Sequence, residues 1–188
     1  ADPLAVGYER MLRILKLIKK YFPYCGCVAA YASVRSLKRY SVGELAALHR
    51  EGLRLLYVGF ETGNDEVLAF MKKGNTAEEA IQQGRKLTEA NMIFNAIIMY
   101  GIAGKDKCVE NAKRTAKMLN QLKPRKIITM NLTVFQGTEL ASLVKEGKFA
   151  EAGVKEKMRE IKSLIERLDI EKRVEFDTTH ATNLVKLQ

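Results

Sequence analysis

Apolar residues at Met11, Leu12, Ile14, Leu15, Ile18 and Phe22, with basic residues between them, have the spacing of an amphipathic helix over residues 8–22, and Pro23 closes it. Val28-Ala29-Ala30-Tyr31-Ala32 then predicts a small-residue strand. Ser41 and Glu44 form a capping box in which hydroxyl and carboxylate each satisfy an orphan backbone donor, opening a helix that buries Leu45 and Leu48. The apolar run at residues 55–60 predicts a second strand. Asn64 caps a short helix through Met71, and Thr76 with Glu79 is a second capping box, starting a helix that runs to about Ala90.

Residues 94–99 are apolar enough for a strand buried on both faces. Gly101-Ile102-Ala103-Gly104 turns the chain into a helix carrying Val109, Ala112, Ala116 and Leu119, Pro124 breaks away, and residues 127–135 predict a fourth strand. Gln136-Gly137-Thr138 leads into a short helix through Val144. Val154, Met158, Ile161, Ile165 and Leu168 mark a last amphipathic helix, and the tail from about 170, residues 174–188 above all, is expected to be extended. Strand and helix alternate four times with crossovers long enough for parallel pairing, which predicts an α/β fold: a parallel sheet with helices packed outside it. Four strands do not close the usual barrel of eight. The expectation is therefore an open sheet, or part of a larger barrel whose beginning is absent.

At 188 residues with 47% hydrophobic content, residues 1–188 suit a single domain with a sizeable core. No apolar run approaches the ~20 residues of a membrane helix and no secretory pattern opens the chain, so a soluble, cytoplasmic protein is expected. The start at Ala1-Asp2-Pro3, without Met, reads as that of a processed or truncated product. The net charge of +10 raises a nucleic-acid partner as a possibility. Much of the excess, however, lies along one helix at Arg10, Arg13, Lys16, Lys19 and Lys20, without the aromatic residues that stack bases. A solvated helix face accounts for it better. Three cysteines without a secretory signal argue for reduced thiols, and Cys25-Gly26-Cys27 has neither zinc-knuckle nor CxxC spacing.

Glu61 is the most informative single residue. It ends the second predicted strand and precedes Thr62-Gly63, and in α/β proteins ligands gather at the carboxyl ends of strands. Its carboxylate can accept hydrogen bonds from a ribose or an amine; the alternative is that it caps the following helix. Lys73, beyond that helix, can meet a ligand carboxylate as a point charge or remain an exposed lysine before a turn. Tyr100 and Gly101 open a strand end with two glycines, where backbone can approach a flat ligand such as a nucleoside base. Ser33 and Asn131 add polar groups on other strands. His180 fits a structural hydrogen bond better than a metal site. No P-loop, HExxH, GxSxG or Ser-His-Asp arrangement is present.

Five segments taken in order resemble the later part of radical S-adenosylmethionine (radical SAM) enzymes, in particular the bacterial Fe-S oxidoreductase group related to oxygen-independent coproporphyrinogen oxidases. They are Val28-Ala29-Ala30-Tyr31-Ala32-Ser33, residues 56–76, Ile97-Ile98-Met99-Tyr100-Gly101-Ile102-Ala103-Gly104, Gln136-Gly137-Thr138-Glu139-Leu140, and His180-Ala181-Thr182-Asn183. The resemblance implies a partial (βα)6 TIM-like barrel in which the four strands are the third to sixth. It implies a site that binds S-adenosylmethionine (SAM) through Asp2, Tyr31, Ser33, Glu61, Lys73, Tyr100, Gly101 and Asn131. Asp2 would stand at the acid that holds the methionyl amine, Lys73 would bind the carboxylate, and residues 100–104 would lie alongside adenine. Ile97 stands where the related oxidases carry an acidic nucleoside contact.

The family's CxxxCxxC, which holds a [4Fe-4S] cluster, has no counterpart here, and Cys25, Cys27 and Cys108 do not replace it. The expectation is a fragment of an oxidoreductase that, when intact, cleaves SAM reductively to a 5′-deoxyadenosyl radical, with an external electron donor and an unidentified small-molecule substrate. The fragment itself is expected to be inactive and to self-associate through its unpaired first strand. The alternatives are a cluster-less nucleoside-binding or regulatory protein, and an RNA-associated module.

Overall fold

A computed structural model describes residues 2–184; Ala1 and residues 185–188, the end of the expected extended tail, lie outside the described residues. Five parallel strands form one sheet in sequential order: β1 (Val28–Ser33), β2 (Leu53–Glu61), β3 (Ile93–Tyr100), β4 (Lys126–Asn131) and β5 (Glu175–Asp177). The helices are α1 (Tyr8–Tyr21), α2 (Val34–Leu37), α3 (Val42–Arg50), α4 (Asp65–Phe70), α5 (Ala77–Glu89), α6 (Cys108–Leu119), α7 (Glu139–Lys145) and α8 (Val154–Ile165), with a 3-10 turn at Pro3–Val6. The parallel sheet with outer helices is as the alternation predicts. Both expected capping boxes form, Ser41 with Glu44 and Thr76 with Glu79, and Asn64 caps α4.

Strand parity divides the sheet into two faces. Leu56, Val58 and Phe60 of β2, Phe94, Ala96 and Ile98 of β3, and Ile127 of β4 lie in the main core with Leu45 and Leu48 of α3, Leu87 of α5, Ala112 and Ala116 of α6, and Leu164 of α8. Full burial of a side chain such as Phe60 or Leu56 contributes about 1.5–3 kcal/mol. The opposite parity forms the second face, buried at Asn95 and Ile97 of β3 and open at β1. One rung across it joins Tyr31, Tyr57, Asn95, Lys126 and Glu175. Tyr31 is 56% exposed, so this face has no helix layer over it at β1.

The structure departs from the sequence pattern in three places. β5 lies in the segment expected only to be extended. β4 stops at Asn131 and does not run to Phe135, because its partner β3 ends at Tyr100, and beyond Leu132 N–H to Tyr100 C=O there is no ladder for Phe135 to join. The apolar stripe read along α8 is only partly its buried face: Ile161 is buried and Leu168 packs against the core, but Val154, Met158 and Ile165 are exposed, whereas Lys157, Glu160 and Leu164 are buried. A polar network, described below, turns that helix.

Candidate active site at the strand ends

Glu61 closes β2 with φ +66, in the left-handed region that a non-glycine residue enters only at an energetic cost. The ladder to β3 shifts between Gly59 and Glu61, and the turn sends the Glu61 side chain back over Gly59. A Cβ at Gly59 would lie 3.2 Å from Glu61 Oε1, so the glycine is what leaves room for the carboxylate. Lys73, held beyond α4, donates from Nζ to Glu61 Oε1 at 3.1 Å. Both side chains are partly buried at the carboxyl end of the sheet, 31% and 21% exposed, enough for a solvent-borne ligand to reach them.

Asp2 and Ser33 meet at the neighbouring strand end. Ser33 donates to Asp2 Oδ2 through its backbone N–H at 3.2 Å and its hydroxyl at 2.5 Å, and the Ser36 hydroxyl donates to Oδ1 at 3.1 Å. Ser33 also caps α2. Ser33 pairs in register with Gly59, which sets this cluster beside the Glu61 carboxylate. Two positions earlier on the same face, the Tyr31 ring lies 5.4 Å from that of Tyr57.

Tyr100, Gly101 and Asn131 form a separate group at the ends of β3 and β4. By parity with Ile98, Tyr100 lies on the helix-covered side; it is 4% exposed, and its Oη accepts the backbone N–H of Leu184. Burial raises its phenol pKa above the ordinary value. Asn131 pairs in register with Tyr100, and its buried Oδ1 has no partner among the described residues. Gly101 has φ +75, and a Cβ there would lie 2.6 Å from Lys157 Cε. The Gly101–Gly104 turn borders a cleft of about 170 Å³ walled by Val67, Phe70, Ile102, Ala103 and Phe149, with Lys107 and Lys148 among its lining residues.

Sequence reasoning missed the residues that hold these turns. Glu160 of α8, 3% exposed, accepts the Gly101 N–H and Asn111 Nδ2, each at 2.7 Å. Burial pushes its pKa up, against the hydrogen bonds from Asn111 and Gly101 that favour the anion. Asn111 in turn accepts the hydroxyl of Thr62, which contacts Thr115. The one available signal was the spacing of Asn111 and Thr115, four residues apart on the face of α6 that also carries Ala112 and Ala116.

The cysteines do not form a metal site. Cys25 and Cys27 are exposed at the amino end of β1, opposite the strand ends just described, and Cys108 is buried with its thiol pKa pushed far up by burial. Among the described residues no group of three or more His, Cys, Asp or Glu is placed to hold a metal ion. No helix among them is long and apolar enough to cross a membrane.

No protein-family model matches the chain, and no curated protein matches it. Solved structures do. Coproporphyrinogen III oxidase (HemN) from Escherichia coli, described as a radical SAM enzyme, superposes with a TM-score of 0.70 at 17% identity, over 88% of this chain and 38% of that one. Elp3 from the archaeon Methanocaldococcus infernus gives 0.68 at 19%, over 82% and 36%. The radical SAM methyltransferase TsrM from Kitasatospora setae, solved with cobalamin and a [4Fe-4S] cluster, gives 0.57 at 18%, over 72% and 25%. The fold is therefore that of a partial TIM-like barrel shared with radical SAM enzymes. The chain spans well under half the length of these neighbours.

Proposed function

We propose that this chain is the later part of a radical SAM oxidoreductase and that its strand ends bind SAM. The observation that carries the reading is the Glu61–Lys73 pair: an anion and a cation side by side at a strand end, one of them on a strained backbone. An α-amino acid is itself an anion and a cation side by side. A methionyl group would exchange with the pair, its ammonium on Glu61 and its carboxylate on Lys73. Asp2 and Ser33 flank the ammonium, and the turn at Gly101–Gly104 with the mixed polar and apolar cleft beside it offers backbone and the Phe70 and Phe149 rings to an adenine.

Bound SAM supplies a sulfonium whose one-electron cleavage starts hydrogen abstraction from an organic substrate. The residues of this chain bind and orient it. The cysteines present do not fit a [4Fe-4S] cluster, so cluster and electron entry belong to residues outside these 188, and the chain alone is inactive. In the intact cytoplasmic enzyme, earlier strands would pair with the free edge of β1; alone, the fragment pairs with a second copy.

Calorimetric titration of the chain with SAM, S-adenosylhomocysteine and adenosine tests the reading. SAM and S-adenosylhomocysteine, which share the amino-acid end, should bind, with K73M and E61Q each weakening binding about tenfold or more. Absence of binding by the wild-type chain, or unchanged binding by both variants, counts against it. The ill-fitting cysteines favour a second reading, a nucleoside-binding protein without a cluster. Adenosine binding as tightly as SAM, with no cluster formed on anaerobic reconstitution of the full-length protein, would favour that account.

A further inference from the structure

Glu61 and Gly101, the two left-handed residues at adjacent strand ends, are 40 positions apart, yet one continuous set of hydrogen bonds joins their turns. Gly101 N–H and Asn111 Nδ2 donate to the two oxygens of Glu160, and Thr62 Oγ1 donates to Asn111 Oδ1 at 2.7 Å. Asn64 N–H donates to Thr62 Oγ1 at 3.1 Å, and Gly63 N–H donates to Thr115 Oγ1 at 3.1 Å. Thr62 and Thr115 hydroxyls lie 3.0 Å apart.

The direction of every bond follows from the ionised carboxylate. A carboxylate only accepts, so Asn111 turns its amino group to Glu160 and its carbonyl to Thr62. Thr62 spends its one proton on Asn111, so Thr115 must donate to Thr62, leaving the Thr115 oxygen to accept Gly63 N–H. Asn64, whose N–H ends the set, is the N-cap of α4, the helix that leads to Lys73. The two oxygens of Glu160, the Asn111 carbonyl and the Thr62 and Thr115 hydroxyls are all engaged, and Thr62, Asn111 and Thr115 are all buried.

We propose that Glu160 is a positioning residue that locks the Glu61–Asn64 turn and the Gly101 turn into a single unit, so that the two halves of the site form or loosen together. A proton on Glu160 breaks the scheme: it must be donated, but Gly101 N–H and Asn111 Nδ2 are donors and the Cys108 sulfur beside them is only a weak acceptor. If Asn111 rotates to accept it, the Asn111 amino group meets Thr62, whose oxygen already accepts from Thr115 and Asn64. One donor is then left unpaired in a buried place, which loosens the turn even though burial favours the proton on Glu160 itself. The groups facing Glu160 are Lys157 of its own helix, Cys108 and Asn111 of α6, and Tyr100 and Gly101 at the end of β3, with Glu156 acting on Cys108. Burial raises the Glu160 pKa above its ordinary value.

The test is nuclear magnetic resonance of the 15N-labelled 188-residue chain across pH 4–8. The backbone amides of Gly101, Gly63 and Asn64 should titrate with one common midpoint above that of exposed carboxylates. In T62V, Gly101 should still titrate while Gly63 and Asn64 no longer follow, and in E160Q the common titration should vanish. Separate midpoints in the wild type, or a titration that persists in E160Q, would overturn the proposal, and the wild-type and T62V results decide it even if E160Q does not fold. The consequence for ligand rests on the SAM reading: affinity should fall about tenfold across the same midpoint. Absence of SAM binding at every pH, with the amides still titrating together, would remove that reading and leave the coupling intact.

Discussion

Lys73 Nζ lies 3.1 Å from Glu61 Oε1, and the glutamate that anchors the pair has a backbone φ of +66. A residue with a Cβ pays about 1–2 kcal/mol for that conformation, and glycine does not. A partly exposed ion pair returns about 0–1 kcal/mol. The pair therefore does not repay the strain by stability alone, which supports the ligand role proposed for this position.

Glu61→Gly should leave stability unchanged or raise it by up to about 1 kcal/mol, while Glu61→Ala, which keeps the strain and loses the pair, should lower it by a comparable amount. Urea denaturation of the three proteins checks this. A Glu61→Gly protein much less stable than Glu61→Ala would show that the strain is not stored at this residue.

Gly63 packs against α6 so closely that a Cβ would sit 2.4 Å from the carbonyl oxygen of Arg114. That atom is helix backbone and cannot step aside, so Gly63→Ala should push the turn away from α6. Overpacking of this kind costs about 1–3 kcal/mol. The expected outcome is a midpoint lowered by several degrees, together with displaced Thr62 and Thr115 resonances. A wild-type melting curve would refute the fit.

Titration of the helix caps and of Glu160 should pull stability in opposite directions. Backbone hydrogen bonds from Ser41 to Glu44 and from Gly153 and Asp106 to Glu156, and the Lys38 hydrogen bond to Glu79, hold these carboxyls below their ordinary values. Depressed values stabilise the fold above the unfolded pKa of about 4.3, and the contribution is lost as pH falls through the folded values. Glu160 is raised, so the folded state holds its proton more tightly, and stability falls as pH climbs from the unfolded value toward the folded one. Melting midpoints measured from pH 3 to 8 should rise and then decline. Glu44→Gln should flatten the acid limb and Glu160→Gln the decline.

β1 is an edge strand, and α1, which packs on α3, exposes Ile14, Leu17 and Tyr21, with Phe22 exposed just past its end. An open edge and exposed apolar surface each invite pairing. Sedimentation should show self-association that weakens in Ala29→Pro, which removes a backbone donor from the open side of β1, since Val28 N–H faces β2 and Ser33 N–H faces away from it. A monomer at every concentration would exclude pairing between copies.

The sequence determined the elements and their alternation, because periodicity and capping are local: Ser41 finds Glu44, and Thr76 finds Glu79, three residues away. It also placed Glu61 at a strand end, since an apolar run ending in Glu-Thr-Gly can only turn there. Parallel pairing followed from crossover length. Other features depended on contacts that no local pattern encodes. β5 has three residues and so no period to read, and it exists because β4 offers an edge. The end of β4 was set by where β3 stops. α8 was misread because its apolar stripe says Met158 and Ile165, whereas the anion at Glu160 is buried by donors 49 and 59 residues distant. Tyr100 and Asn131 fell on the covered side because strand parity runs on to the last rung. Only the tertiary structure could decide these, because a buried polar group takes its position from its partners, and here the partners come from other strands and helices.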